Sequence, residues 1–194
     1  MTNSKQLWRA VAFSIAAIIV AHAFDRWAYA HVRVDDIYSE DYGRMLRVMG
    51  YLPLWLLAAA ALWLQDRSPV GRMRAGLLAA APIATGITAE LLKLVFRRER
   101  PGAHEGAYFL RSLAERTFST SGLALPSSHA MVAFGACFML ARLFPRARVI
   151  WWLLGWGCAL SRVAAGAHFL SDVTVAAVAS WFVVHVLARW IPPA

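Results

Sequence analysis

Between Ser161 and Asp172 the chain reads Ser-Arg-Val-Ala-Ala-Gly-Ala-His-Phe-Leu-Ser-Asp, so an Arg, a His and an Asp stand in otherwise small or apolar sequence. His168 and Asp172 are four residues apart and share one face if they lie on a helix. At that spacing a carboxylate can hold one imidazole nitrogen while the other points at a substrate. Arg162 adds a planar, permanently charged fork that suits a phosphate. The plain alternative is a satisfied His–Asp pair at a helix start.

Two further clusters lie upstream. The first runs from Lys93 through Arg97, Arg98, Glu99 and Arg100 to Pro101. Lys93 and Arg100 are two helical turns apart, which puts both cations on one face of a helix, and Pro101 argues that the helix stops just before it. Glu90, one turn before Lys93, offers it a partner. Read plainly, these cations snorkel to a membrane interface. The second cluster is Pro126-Ser127-Ser128-His129, directly before an apolar run. Ser is a preferred helix N-cap, and the free N–H groups of a helix start form an anion site. His129 in the first turn is placed to give a proton to a leaving group. Alone, this stretch is an ordinary cap beside a surface histidine. Three such clusters on one expected face of the molecule argue for a site.

The elements that must carry these residues are transmembrane. Hydrophobic residues make up 60% of the 194, and mean hydropathy is +0.52; soluble domains hold roughly 45–50%. Nine Trp fit the membrane interface, which Trp favours. The expectation is an all-α polytopic membrane protein, a single domain over 1–194, with six transmembrane helices in a bundle. Spans are expected at about 7–24, 48–64 (with Pro53 a candidate kink), 75–96, 129–144, 149–163 and 169–190. Lys5 and Arg9 precede the first run, and Ala21-His22-Ala23 resembles a signal-peptidase site. The reading favoured is a retained first helix. The polar stretch 25–47 has room for a short amphipathic helix.

The net charge of +9 does not point to nucleic acid, because the basic residues punctuate apolar segments, as topology signals and anionic-lipid contacts do. The positive turns at 65–74 and 144–148, with Lys5, Arg9 and Arg189, are expected on the cytoplasmic side. Both termini then lie inside, and the connections 97–128 and 161–168 meet on the opposite face. Cys137 and Cys158 fall in apolar segments and read as buried thiols. No Cys/His spacing suggests zinc, and neither metal nor cofactor is expected. His22, His31, His104 and His185 lie outside the clusters, and His104, in the long connection, is the one with a route towards the site.

The three clusters together resemble the signature of the type 2 phosphatidic acid phosphatase superfamily: Lys, six residues, Arg-Pro; Pro-Ser-Gly-His; then Ser-Arg, five residues, His, three residues, Asp. Lys93 to Arg100-Pro101 and Ser161-Arg162 to His168 and Asp172 match in full. Pro126 to His129 departs once, with Ser128 in place of Gly. The motifs span 93–172, and the expected helices extend the resemblance over the chain. It implies that His168 is a nucleophile forming a phosphohistidine, that Asp172 orients it, and that His129 protonates the leaving oxygen and then activates water. It also implies that Lys93, Arg100, Arg162, Ser127 and Ser128 hold the phosphate oxygens, with no metal ion required. Ser128 keeps its backbone N–H and adds a hydroxyl, so activity is expected to survive the departure from Gly.

On this resemblance the expected activity is hydrolysis of a lipid phosphomonoester or diphosphate at the non-cytoplasmic face of a bacterial inner membrane. The candidate substrates are undecaprenyl diphosphate, phosphatidylglycerol phosphate, phosphatidic acid and the phosphate of lipid A. A lipid phosphotransferase working through the same phosphohistidine and a non-catalytic lipid-binding protein are the other classes, and the retained histidines and Asp172 argue against the last. Arg97, Arg98, Arg111 and Arg116 in the long connection are candidates to bind a second phosphate, or plain contacts to anionic head groups.

Overall fold

The computed structural model describes residues 4–191, with side chains from Trp8 onward. Lys5 and the last residues of the chain, which the sequence reading put on the cytoplasmic side, lie outside the described side chains. Eight α-helices carry the described fold: α1 (Ser4–Ala23), α2 (Asp25–His31), α3 (Asp41–Val48), α4 (Leu52–Gln65), α5 (Pro69–Phe96), α6 (Ser128–Leu143), α7 (Arg148–Ala164) and α8 (Leu170–Leu187). The only β-structure among the described residues is two isolated bridges, Arg98 with Leu110 and Glu99 with Leu123, both inside the long connection.

The fold is an all-α membrane bundle. By length and apolarity, Pro69–Phe96 and Leu170–Trp190 each suffice to cross a bilayer. Two bent pairs qualify together: α1 with α2, broken by 52°, and α3 with α4, broken by 67°. α6 and α7 are shorter, at 16 and 17 residues. The amphipathic helix expected in 25–47 is therefore two short helices joined by a strap at 32–40.

Local sequence explains the helix ends. α5 begins at Pro69 rather than 75, because the Ser68 hydroxyl caps the Gly71 N–H at 3.0 Å and Pro69 supplies a preset first turn. Arg72 and Arg74 are thus helical, not part of a loop. Pro53, a candidate kink, sits in the first turn of α4, where its missing N–H costs nothing. The bend lies before it, at the break between α3 and α4. The proline inside a helix is Pro82 of α5, one of that helix's buried residues, with the Thr85 hydroxyl donating to Ala81 O at 3.0 Å beside it.

α6 is the centre, with α5, α7 and α8 packed around it. It is apolar all round, as a helix enclosed by others must be, and most of its residues from Ala130 to Leu143 are buried. Gly135 lets α5 come close, since a Cβ there would run into the Thr85 side chain and the Ala81 carbonyl. One half of the core joins α4, α5 and α6 through Trp55, Leu78, Val132 and Met139. The other joins α6, α7 and α8 through Met131, Phe134, Val163 and Val173. Large apolar side chains such as Phe13, Leu57, Leu91, Val95 and Leu153 face outward, as a lipid-facing surface requires. Cys137 and Cys158 are buried and unpaired, as expected.

Helix direction then sorts the connections. α5 and α7 run towards the end where α6 and α8 begin, so the 97–127 connection and the 165–169 turn meet there. At the opposite end Arg74 stacks on the Phe144 ring at 5.7 Å, which joins the two basic turns.

Candidate active site

α5 ends at Phe96, because Arg97 turns left-handed at φ 52°. Arg100 is therefore four residues past the helix, and the expected shared helical face with Lys93 does not form. Both residues still reach the same end of the bundle. Lys93 is buried and donates to Glu90 Oε1 at 3.0 Å and to the Ser128 hydroxyl. Ser128 in turn donates to Glu90 at 2.5 Å. The residue that replaces Gly is thus a bridge between the lysine and its carboxylate. Arg100 is only partly covered; that partial burial, with the Arg162 cation, pushes its guanidinium pKa down, while Asp172 and Glu90 act in the opposite sense.

Ser127 behaves as a cap, with its hydroxyl accepting from the Ala130 N–H at 3.4 Å. Its backbone N–H donates to Asp172 O at 3.4 Å, which ties α6 to α8. His129 is half-buried in the first turn of α6, with the cations Arg162, Arg47 and Arg100 and the imidazole of His168 around it. Gly50 presses against it: a Cβ at Gly50 would stand 2.7 Å from the His129 Cβ and 2.8 Å from its carbonyl oxygen.

His168 lies in the turn before α8, 2% exposed. Its Nδ1 is 3.0 Å from Ala124 O and 3.6 Å from Asp172 Oδ2. A carbonyl can only accept, so Nδ1 carries the proton and Nε2 keeps its lone pair. Burial pushes the imidazole below its usual pKa, with the Asp172 carboxylate acting in the opposite sense. Asp172 sits in the first turn of α8, fully buried, and accepts from the Phe169 N–H at 2.7 Å. The pairing expected from the four-residue spacing is present, although His168 precedes the helix.

Arg162 closes α7, 5% exposed. It donates to the Tyr38 hydroxyl at 2.7 Å, and its Nε has no partner. Lys93, Arg162, His129, His168 and Asp172 therefore gather at one end of the bundle, with Arg100 at its rim. Among the described residues, no group of three or more His, Cys, Asp or Glu side chains is placed to hold a metal ion.

The structure also reveals functional neighbours the sequence reading missed. Arg98 is buried, donating to Asp172 Oδ1 and, at 2.8 Å, to Ser171 Oγ. Asp25, fully buried at the α1–α2 break, is 3.8 Å from Arg98 and accepts from the Ser171 N–H at 2.7 Å and the Tyr108 hydroxyl at 2.9 Å. Burial, and then the Asp25 contact, pushes the Tyr108 phenol up to about 12. Asp25 opens the polar stretch 25–47, and nothing in its spacing sets it apart from the other acids there.

Three of the arginines considered for a second phosphate are committed elsewhere. Arg97 donates to the carbonyls of Arg111, Ser112, Glu115 and Thr117 and so folds the long connection around itself. Arg98 serves Asp172, and Arg111 pairs with Glu99 at 2.7 Å. Only Arg116 of the four remains exposed. His104 also pairs with Glu99 and stacks on Phe109, so it is part of the connection's own framework rather than of the site.

A family model described as the PAP2 superfamily matches residues 74–194. The chain is similar in fold to the crystal structure of a transmembrane PAP2-type phosphatidylglycerolphosphate phosphatase from Bacillus subtilis, with a TM-score of 0.64 at 17% identity, over 95% of this chain and 98% of that one. No curated protein sequence matches significantly.

Proposed function

The chain belongs to the PAP2 superfamily and is a membrane phosphatase, and from that premise we propose that it hydrolyses a lipid phosphate through a phosphohistidine. The observation that carries this reading is the placement of His168 Nδ1 between a carbonyl and a carboxylate. Its Nδ1 is engaged by Ala124 O and faces Asp172, which leaves Nε2 as the nucleophile.

The chemistry follows from the charges. Nε2 of His168 attacks phosphorus, and the bond to the lipid oxygen breaks. His129 gives its proton to that oxygen, and the alcohol or lipid phosphate departs. Asp172 offsets the positive charge that develops on His168. Water then attacks the phosphohistidine, giving its proton to His129, and inorganic phosphate leaves with His168 restored. Lys93, Arg100 and Arg162 supply positive field at the equatorial oxygens, where transition-state charge resides. The Ser128 N–H, free at the start of α6, adds a donor to this cradle. Ser127 contributes by capping that helix.

Sidedness rests on the basic turns. Arg67, Arg72, Arg74, Arg146 and Arg148 gather at the end opposite the site, which supports a cytoplasmic position for that end and a site facing the periplasm or exterior of a bacterial inner membrane. Six crossings, with both termini inside, fit this arrangement.

The test is phosphate release in detergent from phosphatidic acid, phosphatidylglycerol phosphate, undecaprenyl diphosphate and lipid A, with and without EDTA, for the native protein and His168→Ala. Release that survives EDTA and is lost in the variant is expected. Release that persists in His168→Ala would remove His168 as nucleophile, and transfer of labelled phosphate to another lipid instead of water would make the protein a phosphotransferase.

A further inference from the structure

The end of the bundle away from the site is built differently. α6 packs closely against both α7 and α8, whereas α7 and α8 touch each other little. A cleft therefore opens over α6 on the outer side of the bundle. Its half nearest the basic turns is a cavity of about 450 Å³ lined by Phe138, Arg142, Arg148, Trp152, Trp156 and Trp181. Trp156 and Trp181 also wall a second cavity of about 330 Å³, closed by Ala10, Ser14 and Ala17 of α1 and by Thr174 of α8. Sharing those tryptophans, the two cavities form one slot. It runs roughly 12 Å along α7 from Arg148 to Trp156, and roughly 10 Å further along α8 from Trp181 to Thr174, at 1.5 Å per residue. That matches one bilayer leaflet, about 15 Å of hydrocarbon with its head group.

The slot is apolar along its length and cationic at its mouth. Arg142 and Arg148 are exposed there, and with Arg146 they make no ion pair among the described residues. Asp66 is the one acid in the two basic turns, and it accepts from the Ser68 N–H at 3.0 Å. Arg142 Nη2 lies 3.5 Å from His185 Nδ1, and the His185 ring stacks on Trp181 with centroids 5.3 Å apart. The cation is thus held against the wall of the slot without a carboxylate to neutralise it. Trp156 is set edge-on to Phe134 at 5.0 Å, which fixes the other wall. Ala10, Ser14 and Ala17 share one face of α1 and border the slot without filling it.

We infer that this slot binds one anionic phospholipid from the leaflet at the basic end, with its phosphate at Arg142 and Arg148 and one acyl chain along Trp152, Trp156 and Trp181. A basic pocket between helices selects an anionic head group over a zwitterionic one. The same arginines argue against a second copy of this chain as the occupant, because a two-fold contact would bring like charges towards each other. The bound lipid fills the gap between α7 and α8, the two helices that carry Arg162 and Asp172 at their far ends. The inference is independent of the phosphatase reading.

Native mass spectrometry of the full chain tests it, with the protein released from micelles holding equal amounts of dioleoyl phosphatidylserine and dioleoyl phosphatidylcholine. Phosphatidylserine carries only a phosphodiester, so phosphomonoester hydrolysis does not consume it. One phosphatidylserine per chain is expected to be retained in preference to phosphatidylcholine. Arg142→Gln with Arg148→Gln is expected to weaken that binding about 30-fold, the contribution of two cations near a membrane surface. Ala141→Leu keeps every charge but fills the slot, and is expected to weaken it too. Arg67→Gln with Arg72→Gln, exposed cations of the other basic turn, is expected to leave it unchanged. Circular dichroism reports that each variant is folded. Equal retention of the two lipids by the native protein, equal losses in the two arginine pairs, or full retention in Ala141→Leu would overturn the inference.

Discussion

Replacing Arg98 by Met strands two buried carboxylates at once. Arg98 donates to Asp172 and Ser171, and its other terminal nitrogen is 3.8 Å from Asp25. Both acids are fully buried. At an effective dielectric of about 20, one pair at 3.8 Å is worth about 4 kcal/mol. Removing one partner of a buried pair costs about 3–5 kcal/mol. Asp25 keeps its bonds from Ser171 and Tyr108, and Asp172 keeps the Phe169 N–H. These remaining donors place the expected loss near the lower end, about 3 kcal/mol. Against a total of about 5–15 kcal/mol that is a large fraction. Unfolding by SDS titration in mixed micelles measures it. Adding Asp25→Asn to Arg98→Met removes one stranded charge and is expected to recover about 1 kcal/mol or more. A single-variant loss below about 1 kcal/mol, or losses that merely add in the double variant, would refute the reasoning that one cation neutralises both acids.

Three further outcomes follow from the geometry. Gly50→Ala puts a methyl 2.7 Å from the His129 Cβ; if His129 is the proton donor proposed above, its displacement by about 1 Å is expected to cost about 100-fold in kcat with folding retained, and an unchanged kcat would count against that role. Because burial holds His168 below its usual 6.5, its neutral, nucleophilic form persists to lower pH, so the acid limb of kcat/KM that it sets is expected below pH 6.5. A profile of kcat/KM against pH with that inflection at or above 6.5 would contradict the assignment. Ser128→Gly removes the hydroxyl between Lys93 and Glu90 while their own 3.0 Å contact remains, so phosphate release is expected to stay within about tenfold of the native rate.

Motif spacing made the site legible where it coincided with helix ends. His168 and Asp172 come together because a turn and a first helical turn keep the four-residue neighbours close. Lys93 and Glu90 meet because three residues are one turn of α5. The same logic failed for Lys93 and Arg100, since Arg97 adopts a left-handed conformation and ends the helix early. It also misjudged Arg97, Arg98 and Arg111. In sequence these look like free cations in a polar loop, whereas their roles depend on carbonyls and acids up to 74 residues away.

By itself the sequence determined the class of the molecule, because bilayer thickness and the scarcity of water inside it force long apolar helices whatever the details of packing. It also supplied the chemical inventory of the proposed site, since Lys93, Arg100, His129, Arg162, His168 and Asp172 stand in a specific order and spacing. The tertiary structure decided which groups are free to act. It turned Arg98 into the counter-ion of Asp172, gave Asp25 a place beside it, and closed Tyr38 and Arg47 over Arg162. The physical reason is that a charge's role is set by its burial and its nearest partners, and these come from segments far apart along the chain.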